Sequence, residues 1–580
     1  MKLLYDLRRL FSDCCGPHGK IILVGKEHQR DSDEICMTCC SSGILNFDLL
    51  EFSSDQQSDE EIVFQKTIKS FLKSHNFQYG FYGSSFGLLT CIMYILFKED
   101  CENYSLFKLN YLLQNVVPQW MDEFFDRQQI PVQALSLKIL LSIMKTKWCG
   151  NKLLRLSSHH VNVMSALSVR IFSHVFLPKF GSSQSIIGRK NDVNYVQLYG
   201  EGITYEDSVL KKGLIMNIPF PEIVKSVTKS KNIQNKKIIV FKESILLTPP
   251  KSEEAYTESN LGAMIKLRSS GEENTLDLVK ERIKEWKQSG IEIVACQKLI
   301  DKPIQLLMLK HDIIPIERIS QFYIDDVIRL TGASPISSIV FPIQKSDIGQ
   351  ITSISEIQVM GRSCIYFTNE TAESEVYSVL LCSPSHSQSL ELEHVMKSAQ
   401  TGLKLLVSQP FVVAGSGVTE FLLAQYFTEQ SRLDKSRIFS ILSLQKEMEL
   451  ITRSLNMLSK TIAQKESSNM ILEEYVLCMK QKNCDLSSSL TPSKHGLVVT
   501  PTYSCFSLNS QVTESEAKEV LRYSVEFDRT TQTMEFNIDS PNENEERNMI
   551  LDISFAKKQA IASAFQCFHT LMQSTQTTRQ

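Results

Sequence analysis

The run Phe86–Phe97, FGLLTCIMYILF, carries no charge over twelve residues, and it limits the fold more than any other stretch. As a helix it would be about 18 Å long, short of the ~30 Å hydrocarbon core of a bilayer. Apolar on every side, it cannot lie on a protein surface either. What remains is the middle of a helical core. Just before it, YGSS (82–85) brings a glycine and two serines to the helix start, and unpaired amides there attract anions. The stretch lacks the Lys-Ser/Thr of a Walker loop, so capping and close packing account locally for Gly83, Ser84 and Ser85.

Around this run the first third reads as helical. Ser58-Asp-Glu-Glu61 has the form of a capping box, with Phe64, Ile68, Phe71 and Leu72 following at helical spacing. Helical patterns continue through LFKLNYLLQNVV and VQALSLKILLSIM. The middle alternates. KKIIVFKESILL (236–247) is strand-like. LDLVKERIKEWKQSG (276–290) aligns Leu276, Val279, Ile283 and Trp286 on one helix face before Gly290 stops it. IEIVACQ, PIQLLMLKH, DIIPIERI and YIDDVIRLTGA then read strand, helix, strand, helix, the signature of an α/β layer. After about Ser389 the chain is helical again, ending in KKQAIASAFQCFHTLMQ (557–573). Helical, α/β, helical is the order of a discontinuous domain carrying an insertion.

The chain has 580 residues and a net charge of −3, so no global field selects nucleic acid or an anionic membrane. Charges interrupt MKLLYDLRRLF too early for a secretory signal. Fifteen cysteines without such a signal point to thiols in a reducing, cytoplasmic setting.

Three local patterns could carry chemistry. Cys14, Cys15, Cys36, Cys39 and Cys40, with His18 and His28, can be drawn as a zinc site. Their spacing is not the two tight pairs that structural zinc prefers, so no metal is assigned. VVAGSGVTEFL (412–422) places Gly415, Ser416 and Gly417 in a tight turn between an apolar run and a helix. His159 and His160 have no acid at ligand spacing in the sequence and read as interfacial or capping residues.

Taken in order, these stretches resemble the group II chaperonins, the family of the archaeal thermosome and the eukaryotic cytosolic chaperonin. CGPHGK (15–20), with Gly16, Pro17 and Gly19, is similar to the family's nucleotide loop, and MTCCSSGIL (37–45) to its Thr-Asn-Asp-Gly-Ala-Thr-Ile-Leu. YGSSFGLLT stands for Gly-Asp-Gly-Thr-Thr, and VVAGSGVTE for the late Gly-Gly-Gly-x-x-Glu turn. SVLKKGLIM (208–216) resembles the strand that opens the family's apical domain. IVACQKLI through IRLTGA (293–333) matches that domain most fully, and LDISFAKKQAIASAF (551–565), with Asp552, resembles the C-terminal helix and its lead-in. The resemblance implies a multidomain α+β fold. Its helical equatorial domain would comprise 1–140 and 408–580, an intermediate domain 141–190 and 343–407, and an inserted α/β apical domain 191–342.

The departures bear on function. The family places carboxylates where Cys40, Ser85 and Ser398 stand. Mg²⁺ wants anionic oxygen ligands, and phosphoryl transfer needs the metal, so the expectation is no catalytic residue and no turnover. Backbone amides at Gly16–Gly19 and Gly415–Gly417 could still meet phosphates, giving weak ATP binding and no required cofactor. RSSGEEN leaves little chain for a lid between AMIKL and the helix that follows. With these departures the chain resembles a divergent vertebrate-type chaperonin-like branch of the family. That branch implies assisting assembly of a ciliary trafficking complex, the BBSome, with the cytosolic chaperonin, at centrosomes and basal bodies. Two alternatives stay open: an ATP-driven folding subunit of a chaperonin ring, with Asp13 as a substitute acid, and a thiol or zinc protein.

Overall fold

The apolar run lies where its pattern puts it, along the middle of a helix bundle. The computed structural model describes residues 2–15, 22–24, 36–38, 40–46, 58–131, 137–176, 193–218, 232–246, 277–339, 341–359, 362–370, 376–415, 417–433, 444–463 and 551–577. Two units arise. Residues 1–188, 204–206 and 383–580 make a helical one, and residues 189–203 and 207–382 an α/β one.

The helical unit opens with α1 (Lys2–Asp13), an antiparallel pair β1 (Ile22–Val24) and β2 (Cys36–Thr38), and the short α2 (Ser41–Asn46). Next come α3 (Asp59–Gln78), α4 (Gly83–Glu99), α5 (Leu106–Tyr111), α6 (Val117–Gln128), β3 (Ile130–Pro131), α7 (Leu137–Cys149) and α8 (Ser158–Ile171). Ser58 caps α3, its Oγ accepting from Glu61 N at 3.3 Å. Three acids in the first turn of α3 favour the helix dipole. Every residue from Phe86 to Phe97 of α4 is buried. Phe64, Ile68 and Leu72 of α3, and Leu7 and Phe11 of α1, pack on it. Gly87 lets α1 come close, since a Cβ there would stand 2.4 Å from the Phe11 ring. Leu112–Val116, between α5 and α6, opens into a π-helical turn that the sequence pattern did not announce.

In the α/β unit come β4 (Val193–Tyr199), β5 (Val209–Lys212), β6 (Leu214–Met216) and β7 (Asn232–Phe241). They are followed by α9 (277–288), β8 (Ile291–Cys296), α10 (Lys302–Lys310), β9 (Ile314–Ile316), α11 (Gln321–Thr331) and β10 (Pro335–Ile336). β11 (Gly349–Val359), β12 (Arg362–Thr368) and β13 (Tyr377–Ser383) complete it. The main sheet runs β6-β12-β11-β7-β8-β9, with β10 also on β7. β7, β8 and β9 are parallel, and β11, β12 and β6 join antiparallel. Alternation along β7 explains the two-sided burial. Ile238 and Val240 meet Ile324, Val327 and Leu330 of α11. Ile239 and Phe241 meet Val279, Ile283 and Trp286 of α9 and Met308 of α10.

Two details depart from the sequence expectation. SVLKKGLIM is not one strand: Gly213, at φ +118°, splits it, so β5 joins the small sheet β4-β13-β5 and β6 the large one. Residues 349–368, expected in the second intermediate piece, hydrogen-bond as β11 and β12 into the sheet of β7 and β6. Their Ile351, Ile354, Ile365 and Phe367 share the core of that sheet.

The chain then returns to the helical unit with α12 (His386–Ser408), β14 (Phe411–Ala414), α13 (Val418–Leu433), α14 (Gln445–Ala463), β15 (Leu551–Ile553) and α15 (Ser554–Thr577). β14 is the middle strand of a three-stranded sheet with β15 and β3. Phe427, Ile451, Leu455, Phe565 and Phe568 close the core round α4. Among the described residues no helix is long and apolar enough to cross a membrane. Leu276 and the RSSGEEN tip lie outside the described residues.

Candidate functional site

Three of the stretches singled out in the sequence converge at the start of α4. Tyr82 precedes the helix with left-handed backbone, φ 59°. Ser85 then places its Oγ 3.5 Å from the Cys15 Sγ, just past the end of α1. The turn from β14 to α13 holds Gly415 and Gly417, and Val418 N donates to Gly415 O at 3.1 Å. β15 pairs antiparallel with β14 and sets Asp552 opposite Val413.

What fills the junction is a side chain from α15. Lys557, 2% exposed, is buried with Glu420 at 0% and Asp552 at 8%. Its ammonium contacts Glu420 Oε1 and lies 3.0 Å from Asp552 Oδ2. It also stands 4.7 Å from the centre of the Tyr82 ring, while the Tyr82 hydroxyl accepts from Ile553 N at 3.1 Å. Burial by itself would lower the Lys557 pKa. The two carboxylates more than reverse this and hold it above the usual lysine value. Burial, and then Asp552, push the Tyr82 phenol up. Cys15 is pushed up to about 11 by burial, so its thiol stays protonated at neutral pH. Both acids at this junction are thus neutralised by a cation tethered to the chain.

A second polar cluster forms where β2 runs into α2. Glu391 of α12, 1% exposed, accepts from Asn151 Nδ2 at 2.7 Å, from Thr38 Oγ1 at 3.0 Å and from the Cys40 Sγ at 3.3 Å. His394, one turn further along α12, brings a ring nitrogen to the same place. One donor atom each from Cys40, Glu391 and His394 lie within 4.8 Å of one another.

The structure therefore sorts the candidate residues. Asp552 meets Lys557, while Ser85 faces Cys15, Gly83 packs on Ser41 and Asn76, and Gly417 packs on Ser459. Ser84 lies beside them in the first turn of α4 and Gly415 in the turn before α13. Cys40 stands with Glu391 instead. Ser398 lies two turns beyond Glu391 on α12, and its hydroxyl donates to Gly80 O. Gly16, Pro17, Gly19, Ser416, Cys39, His18 and His28 lie outside the described residues. His159 and His160 do have an acid, Glu206, at 3.4 and 3.5 Å. Their helix is capped by Ser157 rather than by either histidine. Sequence reasoning missed Lys557, Glu391 and His394. The only signal for the last two was their spacing of three, which sets both on one helix face.

A helical unit that an α/β unit interrupts along the sequence is the architecture of a chaperonin subunit. The chain belongs to the TCP-1/cpn60 chaperonin family, which it matches over residues 119–578. It is 22% identical to the molecular chaperone MKKS of Homo sapiens over 437 residues, 74% of this chain and 71% of that one. It is 26% identical to thermosome subunit alpha of Aeropyrum pernix over 246 residues, 42% of this chain and 43% of that one. The crystal structure of a group III chaperonin in the open state superposes with a TM-score of 0.65 at 13% identity, covering 99% of this chain and 96% of that one. The fold is thus that of the chaperonins, multidomain α+β and group II-like, and the function is chaperonin-like.

Proposed function

We propose that the chain is a chaperonin-family scaffold without ATP hydrolysis of its own. It assists assembly of a ciliary trafficking complex, the BBSome, together with cytosolic chaperonin subunits, at centrosomes and basal bodies. The observation that carries the loss of turnover is the Lys557 triad. A hydrolytic site needs anionic oxygens turned toward Mg²⁺ and the attacking water. Here Asp552 and Glu420 are turned toward a buried ammonium, and the helix start offers the hydroxyl of Ser85 and the thiol of Cys15. Phosphate without a metal gains only backbone amides, so ATP binds weakly. Similarity to MKKS over three quarters of the chain supports the assembly role.

Two experiments test this. Purified full-length chain should release no phosphate from Mg-ATP in an EDTA-sensitive way. Affinity capture from ciliated cells, followed by size separation, should yield a complex holding cytosolic chaperonin and BBSome subunits; a homomeric double ring contradicts the reading.

One observation favours a second reading, an ATP-driven chaperonin subunit. Glu391 sets a carboxylate beside Cys40, where the family carries an acid. On this reading Glu391 activates the water, and Glu391→Gln abolishes a turnover that the wild-type chain shows.

A further inference from the structure

We infer that Cys40, Glu391 and His394 form a binding site for a thiophilic divalent cation, Zn²⁺ by its chemistry, and that this site stands whether or not the chain turns over ATP.

The argument begins with the donor set. A thiolate, an imidazole and a carboxylate are the three ligand types that zinc takes, and the sulfur disfavours Mg²⁺ and Ca²⁺. Their geometry is close to closed. In a tetrahedral zinc site neighbouring ligand atoms stand about 3.3–3.7 Å apart, given metal–ligand distances of 2.0–2.3 Å. Cys40 Sγ and Glu391 Oε2 already lie 3.3 Å apart. All three donor atoms lie within 4.8 Å of one another, so side-chain adjustment of no more than about 1.5 Å completes the triangle.

The scaffold holds the donors in place. Glu391 and His394 are three residues apart on α12, the Glu-x-x-His spacing that turns both side chains to one side of a helix. Cys40 comes from the short connection between β2 and α2, whose Thr38 bonds the same carboxylate. Glu391 is positioned from both sides, by Asn151 at Oε1 and by Thr38 at Oε2. Such outer hydrogen bonds fix ligating carboxylates and sharpen metal affinity. The amide of Asn151 and the hydroxyl of Thr38 thereby hold the carboxylate in place beside Cys40. Binding converts the Cys40 thiol to a thiolate, with its proton released to solvent, and the sulfur lone pair that forms takes the metal. The fourth position falls to water or to a ligand brought by a partner.

The site differs from the cysteine set first drawn from the sequence. Cys15 is buried against Ser85 at the other cluster. The residues that complete a site with Cys40 come from α12, with Glu391 351 positions further along the chain, and neither is a cysteine.

The test uses the full-length chain stripped with a chelator under reducing conditions. Zn²⁺ is titrated against a chromogenic competitor, and Co²⁺ serves as a spectroscopic substitute. The expected result is one Zn²⁺ per chain and a thiolate-to-cobalt charge-transfer band. Cys40→Ser and His394→Gln should each weaken Zn²⁺ binding at least tenfold, and Cys40→Ser should remove the band. Cys149→Ser, at an exposed cysteine outside the cluster, should change neither. Helical circular dichroism of the variants separates lost binding from lost folding, and His394→Gln provides a second readout if Cys40→Ser is unstable. Unchanged affinity in a folded Cys40→Ser or His394→Gln chain, or a cobalt spectrum without the thiolate band, overturns the assignment.

Discussion

The two buried polar clusters of the helical unit are built from different kinds of side chain. Around Lys557 the chain provides both signs itself: Glu420 and Asp552 meet an ammonium that cannot leave. Around Glu391, Asn151, Thr38 and Cys40 donate hydrogen bonds and a ring nitrogen of His394 stands close by. The first arrangement is closed, stabilised by its own ions and poorly suited to a metal-bound nucleotide. The second is built from ligand-type side chains and suits an external cation. On the proposed reading, the first cluster serves as internal structure and the second as a place for a cation.

The largest effect that breaks the comparison is expected at Lys557. Lys557→Met strands two buried carboxylates and should cost about 3–5 kcal/mol in urea unfolding. Combining it with Glu420→Gln and Asp552→Asn should recover much of that loss, because the ions then vanish together. An equal loss in the single and triple variants contradicts the closed-triad account.

Next in size is the Glu391 cluster. Thr38→Val and Asn151→Ala each delete a hydrogen bond to a buried carboxylate and should cost about 1.5–3 kcal/mol by the same assay. Saturating Zn²⁺ should stabilise the wild-type chain further and leave a folded Cys40→Ser chain unmoved, a response the Lys557 cluster should never show.

A smaller effect comes from pH. His75, buried between α3 and α4, bonds Phe81 O at 2.8 Å. Burial lowers its pKa below the ordinary 6.5, the Phe81 carbonyl only partly offsetting it. The neutral ring therefore contributes stability that is complete above about pH 6.5 and is lost as pH falls toward the lowered value. Denaturation midpoints from pH 7.5 to 5 should decline, and His75→Gln should flatten the decline. The smallest effect is kinetic. At pH 8 a thiol reagent should label Cys149 on the surface before Cys15, whose pKa near 11 and burial keep it protonated and shielded.

What the sequence disclosed and what it hid follow from the range of the interactions. The burial of α4 was legible because an uncharged run twelve residues long has no surface-compatible face. α9 and the parallel strands were legible because Val279, Ile283 and Trp286, and the β7 run, repeat at fixed local periods. The split at Gly213 and the π turn at Leu112–Val116 were not, since each depends on what packs from elsewhere. The same holds for the sites. Gly415, Gly417 and Asp552 could be found as local motifs, but Thr38 and Glu391 stand 353 residues apart in the chain. Nothing in a periodic pattern marks Lys557 as buried, because a lysine is ordinarily exposed and becomes buried only where acids await it.

The proposal that the chain has no ATP hydrolysis of its own is tested most directly by phosphate release from Mg-ATP with and without EDTA. The account predicts that purified full-length chain gives the same rate in both, equal to that of a heat-denatured control. An EDTA-sensitive rate well above that control, abolished by Glu391→Gln, would contradict it.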